Sequence, residues 1–148
     1  MIPLDKLDDC FGKGLLRPGR KQPDLAVKDL AQARFFLAEA EDLLGRGKRV
    51  MASLALYNAY FHIVRALLFK DGYTERSHYC LARYLEERYV KEKTLDSRLL
   101  DAFETIMSVR HNAQYSTDAV EIEEDLGELS ARCATLIERV EALLKKAR

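Results

Sequence analysis

From Ile122 to Leu143, apolar residues return at alternating steps of four and three: Ile122, Leu126, Leu129, Cys133, Leu136, Val140 and Leu143. Such a stripe is continuous only on a helix, where it lines one side. Asp118 and Glu121 form a capping pair ahead of it, and Lys145, Lys146 and Arg148 stand at the carboxyl end, where the helix dipole favours cations. The same signature recurs upstream. Asp24 can cap a helix beginning at Leu25, with Leu30, Ala33, Leu37, Ala40 and Leu44 on its seam and Gly45 and Gly47 at its end. A second helix runs from about Lys48 to Asp71 and is closed by Gly72. Ala52, Leu56, Ala59, Ile63 and Ala66 form one apolar line on it, and Leu54, Tyr57, Phe61, Val64 and Leu68 form another. A helix apolar on more than one side belongs at the centre of a bundle. Ser77 caps a shorter helix that ends near Val90 and buries Leu81, Tyr84 and Leu85. A fourth begins near Asp96 and carries Leu99, Phe103, Ile106, Arg110 and Ala113 along one stripe. No segment sustains a period of two with strand-type flanks, so no sheet is expected. The expected class is all-α, an up-and-down bundle of four to five helices.

With 148 residues, 48% of them hydrophobic, the chain can fill one core but hardly two. The bundle is assigned to residues 24–148. Residues 1–23 hold Pro3, Gly12, Gly14, Pro18, Gly19 and Pro23, a density of breakers that predicts a flexible arm. Lys13, Arg17, Arg20 and Lys21 make that arm basic, either as a phosphate-seeking patch or as a solvated tail. Lys plus Arg and Asp plus Glu both total 24, so any attraction for nucleic acid must be local. No apolar run approaches the roughly 20 residues that span a bilayer, and the amino terminus lacks the pattern of a signal peptide. A cytoplasmic protein without a membrane partner is expected. Cys10, Cys80 and Cys133 are widely separated and read as thiols.

Two constellations stand out. In Arg110-His111-Asn112-Ala113-Gln114-Tyr115, five of six side chains can hydrogen-bond, and Arg110 occupies a seam position meant for an apolar residue. A guanidinium there needs a carboxylate, backbone carbonyls or a bound anion. Asn58, His62 and Arg65, at steps of four and three, share one face of the second helix. They suit either a phosphate site with a titratable imidazole or a satisfied core network. Phosphate-cradling glycines, a nucleophile elbow and paired histidines at metal-ligand spacing are all missing, so no metal or cofactor is expected. The seven tyrosines could stack on bases, though core-edge packing explains them as well.

The run Leu56-Tyr57-Asn58-Ala59-Tyr60-Phe61-His62-Ile63-Val64-Arg65-Ala66-Leu67-Leu68, then Gly72-Tyr73, Ser77-His78 and Val109 to Tyr115, resembles the HEPN family in order and spacing. The resemblance covers roughly residues 25–146. It implies a HEPN-like helical bundle that dimerises through the faces carrying its motif. Many HEPN domains are RNA-cleaving toxins, and many stand beside a minimal nucleotidyltransferase that acts as antitoxin. The family motif is an Arg, usually followed by a polar residue, with a His after four to six intervening positions. Arg110 and His111 match its start. Tyr115, Ser116 and Thr117 fill the places open to the closing His, which is absent. In one branch a Tyr beside the motif accepts a nucleotide, which makes Tyr115 a modification site by resemblance.

The expected function is therefore a toxin–antitoxin component that binds RNA or nucleotide phosphate at a dimer cleft, with metal-independent ribonuclease activity left open by the absent closing His. Arg110, His62 and His111 are its catalytic candidates; Asn58, Arg65, Asn112 and Tyr115 are its binding candidates. The alternatives are a non-catalytic module that binds a separate nucleotidyltransferase, which loss of the motif His favours, and a helical dimer with no ligand. The last would require Arg110 to be neutralised internally. Neighbours on a helix diverge by about 100°. His62, one turn from Asn58 and Arg65, is thus favoured over His111 to replace the absent histidine. The long seam of the last helix and the excess apolar faces of the second predict a homodimer.

Overall fold

The structure, a computed structural model, describes residues 6–147. Each long helix begins or ends where local chemistry directs. Pro23 opens α2 (Pro23–Gly45) at the first helical position, where its missing N–H costs nothing, so the helix starts ahead of the expected Asp24 cap. Gly47 turns the chain with φ 74°, and α3 (Arg49–Asp71) runs back along α2. Gly72 ends α3 in the left-handed region at φ 94°. A β-carbon there would meet the Gly19 carbonyl at 3.0 Å, so both conformation and space demand glycine.

α3 is the central helix, as its apolar lines predict. Its buried residues Ala52, Leu56, Tyr57, Ala59, Tyr60, Ile63, Val64 and Leu68 face α2, α4, α5 and α6 between them. By length and composition α3 could cross a membrane, yet 61% of its qualifying window is buried inside the bundle, as in a core helix. Ser77 caps α4 (His78–Leu85) by accepting from the Cys80 amide. A π-helical turn, Glu86–Val90, carries the chain over the end of α3, where the Tyr84 and Tyr89 hydroxyls both donate to Asp71. Asp96 caps α5 (Ser97–Tyr115).

The last helix, α6 (Leu126–Lys146), starts later than expected. Asp125 is its cap, accepting from the Glu128 amide at 3.0 Å. The Asp118–Glu121 pairing is corrected because Arg49 draws the preceding loop onto α3, donating to the Ile122 and Glu124 carbonyls at 3.0 and 2.9 Å. Ile122 packs against the core from that loop, while Leu126, Leu129, Cys133, Leu136 and Val140 bury the seam as read.

The amino-terminal expectation is overturned. Residues 1–5 lie outside the described residues, but Lys6–Gly12 forms a helix, α1, and Leu16–Pro18 a strand, β1. β1 pairs antiparallel with β2 (Tyr73–Glu75), a ribbon too short to show alternation in sequence. Leu7, Cys10 and Leu16 are buried. The thiol reading of Cys10 and Cys80 is likewise corrected: the two form a disulfide that ties α1 to α4. Cys133 is a free, buried thiol, and burial pushes its pKa up.

Candidate functional site

Three elements converge at one end of the bundle. α3 supplies Tyr57 and Phe61, the capped start of α4 supplies His78, and the last turns of α5 supply Arg110. The Arg110 guanidinium lies over the Tyr57 ring, 4.3 Å from its centroid. It donates to the Gln114 side-chain oxygen at 3.1 Å, and its second amino group comes within 3.5 Å of His78 Nδ1. Its Nε is buried and has no acceptor. Among the described residues no carboxylate pairs with Arg110. The buried Tyr57 hydroxyl is hydrogen-bonded to His78 Nδ1, and the imidazole packs on Phe61 with centroids 4.8 Å apart. Burial, reinforced by the Arg110 charge, holds the His78 pKa below its ordinary value, so the ring is neutral near pH 7. Burial raises the Tyr57 pKa despite the nearby Arg110, and the phenol keeps its proton.

Asn58, His62 and Arg65 share a face, as their spacing requires, but they do not form an open phosphate site. His62 Nδ1 lies 2.6 Å from Asp29 Oδ1. Arg65 grips the same carboxylate with both prongs, at 2.8 and 2.9 Å. Phe36 stacks on His62, and Phe61 and Phe69 flank Arg65. Asn58 turns back to its own helix, donating to the Leu54 carbonyl, so Asp29 and not Asn58 orients the imidazole. This network bolts α3 to α2. Sequence reasoning missed Asp29, although an acid beside Leu30 on the buried side of α2 was a visible signal.

Burial alone would raise the Asp29 pKa, but the hydrogen bonds from His62 and Arg65 prevail and hold it below the ordinary carboxylate value. Asp29→Ala should therefore cost about 3 kcal/mol, because it leaves Arg65 partly buried without its counter-charge. Urea denaturation at neutral pH checks this, and a loss under ~0.5 kcal/mol, the scale of an ordinary surface substitution, would show that the network contributes little. Because the folded pKa is depressed, the parent keeps this contribution above the unfolded value of 3.8 and loses it as pH falls through the folded one.

On the outer side of Arg110 lies an open groove of about 330 Å³, lined by Tyr79, Ala82, Arg83, Glu104, Met107, Ser108 and His111 as well as Arg110 itself. Arg110 and His111 thus border one groove without a hydrogen bond between them. The His111 and Tyr115 rings touch at 5.0 Å. Tyr115 is 61% exposed, and Asn112 is exposed while its carbonyl accepts from the Ser116 amide to end α5. Arg83 is buried, where Arg110 is half-buried, and its Nε is likewise unpaired, but its amino groups are held by Glu86 and Glu104.

A family model for the HEPN domain matches residues 27–146. The chain belongs to the HEPN family. No curated protein matches it significantly. The histidine placed against Arg110 is His78, from a different helix. Sequence reasoning passed over it as a site residue, because 32 positions separate the two and only the packing of α4 on α5 joins them. Among the described residues no group of three or more His, Cys, Asp or Glu is arranged to hold a metal.

Proposed function

We propose that this HEPN domain binds RNA or a nucleotide phosphate at the Arg110 cleft and serves as a metal-independent ribonuclease of a toxin–antitoxin pair. The carrying observation is the unspent charge of Arg110: a half-buried guanidinium that meets no carboxylate among the described residues. A bare guanidinium is costly to bury, and a phosphate offers the acceptors it lacks. The ligand-free helical dimer is disfavoured by the same fact, since it required an internally neutralised Arg110. Tyr79, 52% exposed, lines the groove, and Tyr115, 61% exposed, packs on the groove residue His111; both suit base stacking or contact with a second copy of the chain.

The second reading is a non-catalytic partner of a minimal nucleotidyltransferase. The exposure of Tyr115 at the end of α5 favours it, because a hydroxyl that accepts a nucleotide must be reachable. Anisotropy titration of a labelled single-stranded RNA tests the first reading. Binding is expected, weakening about tenfold between ~50 and ~200 mM salt as a few phosphate contacts release counterions. Light scattering at tens of micromolar, a usual range for detecting weak interfaces, should return a dimer. RNA affinity indifferent to salt, or no affinity at all, would remove the ribonuclease reading and leave the transferase partner.

A further inference from the structure

The HEPN domain's motif arginine has no histidine at the closing position, yet an imidazole stands beside it in space. We infer that His78 is the general base of the Arg110 site, with Tyr57 as its positioning residue. The inference rests on the ribonuclease reading above and adds the proton-transfer group that this reading lacks.

Four observations support it. The Ser77 cap makes His78 the first residue of α4, and the disulfide at Cys80 ties that helix to α1, so the imidazole is presented from a fixed backbone. One edge of the ring is held by Tyr57 and one face rests on Phe61, which leaves little rotational freedom. The other ring nitrogen, Nε2, has no partner among the described residues and is not among their sealed, unpaired atoms. Finally, an Arg110 amino group lies within 3.5 Å of the ring, so an anion bound by the guanidinium falls next to the imidazole. What sets His78 apart is Arg110: the carboxylate that holds His62 Nδ1 also takes Arg65, and His111 makes no hydrogen bond with Arg110 and packs its ring on Tyr115.

The chemistry follows from the tautomer. The step uses the ring tautomer with its proton on Nδ1 and the Tyr57 oxygen as acceptor, which leaves a lone pair on Nε2. Nε2 takes the proton of a ribose 2′-hydroxyl as that oxygen bonds to phosphorus. The bond from phosphorus to the 5′-oxygen breaks, and the leaving oxygen takes a proton from water. The imidazolium then returns its proton to the hydroxide so formed. The products are a 2′,3′-cyclic phosphate and a 5′-hydroxyl, with no change of oxidation state. Arg110 stabilises the charge on the phosphoryl oxygens.

The full chain is assayed with a mixed-sequence, fluorophore-labelled single-stranded RNA, and binding and cleavage are followed separately. The expected result is that the parent cleaves, that His78→Gln lowers kcat roughly 100-fold with KM and RNA affinity nearly unchanged, and that added imidazole restores part of the rate of His78→Ala. Tyr57→Phe, which removes only the hydroxyl, should lower kcat less than His78→Gln does. If the parent cleaves and His78→Gln cleaves as fast, the inference is overturned while the ribonuclease reading stands. If the variants lose RNA affinity or helical signal in parallel with rate, and imidazole restores nothing, His78 is structural and the inference fails. A parent that binds RNA without cleaving it overturns the inference and leaves phosphate binding; one that does neither overturns both.

Discussion

Arg110→Ala is expected to remove most phosphate-dependent activity, about 100-fold or more, while leaving the bundle folded. The functional loss follows from removing the one guanidinium in the cleft that is not already bound to a carboxylate, an electrostatic contribution of the size measured for single oxyanion donors. The small structural loss follows from what Arg110 leaves behind. Its partners are the Gln114 amide, which is exposed, the Tyr57 ring and a long contact to His78. No buried anion is orphaned, so the stability change should stay near 1 kcal/mol, the scale of one cation–π contact and one neutral hydrogen bond. Asp29→Ala should behave in the opposite way, losing stability because it strands Arg65. Arg110→Lys should rescue little, since an ammonium cannot reproduce the planar fork. RNA binding and cleavage, read beside urea denaturation of the same preparations, decide the matter. A variant that binds and cleaves RNA like the parent but is several kcal/mol less stable would make Arg110 a structural residue.

Reducing the Cys10–Cys80 disulfide is expected to lower stability by about 4 kcal/mol, because it releases a closed loop of 70 residues in the unfolded chain. In a domain of this size that corresponds to a fall in Tm of roughly 10 °C. Both sulfurs are buried, Cys10 at 2% and Cys80 at 0% exposure, so the folded protein should resist mild reductant and yield only as it opens. Thermal melts with and without reductant measure the difference, and Cys10→Ser with Cys80→Ser should reproduce the reduced value. A shift under ~2 °C, less than 1 kcal/mol for a domain of this size, would mean that α1 and the ribbon are not part of the cooperative core. Disulfides are uncommon in reducing compartments, so the same melts indicate how the fold behaves where these residues are thiols.

Most helices were legible in sequence because helix formation is local. A period of 3.6, a cap and a terminating glycine lie within a few residues of each other, and Ser77, Asp96 and Gly72 act where they stand. The doubly apolar face of α3 announced its central place for the same reason. The amino-terminal segment was misread because its order comes from elsewhere in the chain. Glycines and prolines that would break an isolated helix are accommodated once Cys10 meets Cys80 and Leu16 to Pro18 pair with the strand after α3.

The candidate site divides along the same line. The sequence by itself determined that Arg110 occupies an apolar stripe, that a polar trio interrupts α3, and that Tyr115, Ser116 and Thr117, and no histidine, follow Arg110 at the end of α5. Which of these polar groups meet was decided only by tertiary structure. Asp29 on α2 claims His62 and Arg65, and the packing of α4 between α3 and α5 sets His78 beside Arg110 and Tyr57. Helical periodicity fixes the side of the helix from which a residue points, whereas the partner waiting there comes from a distant segment, brought in by burial of the shared core and not by any local code.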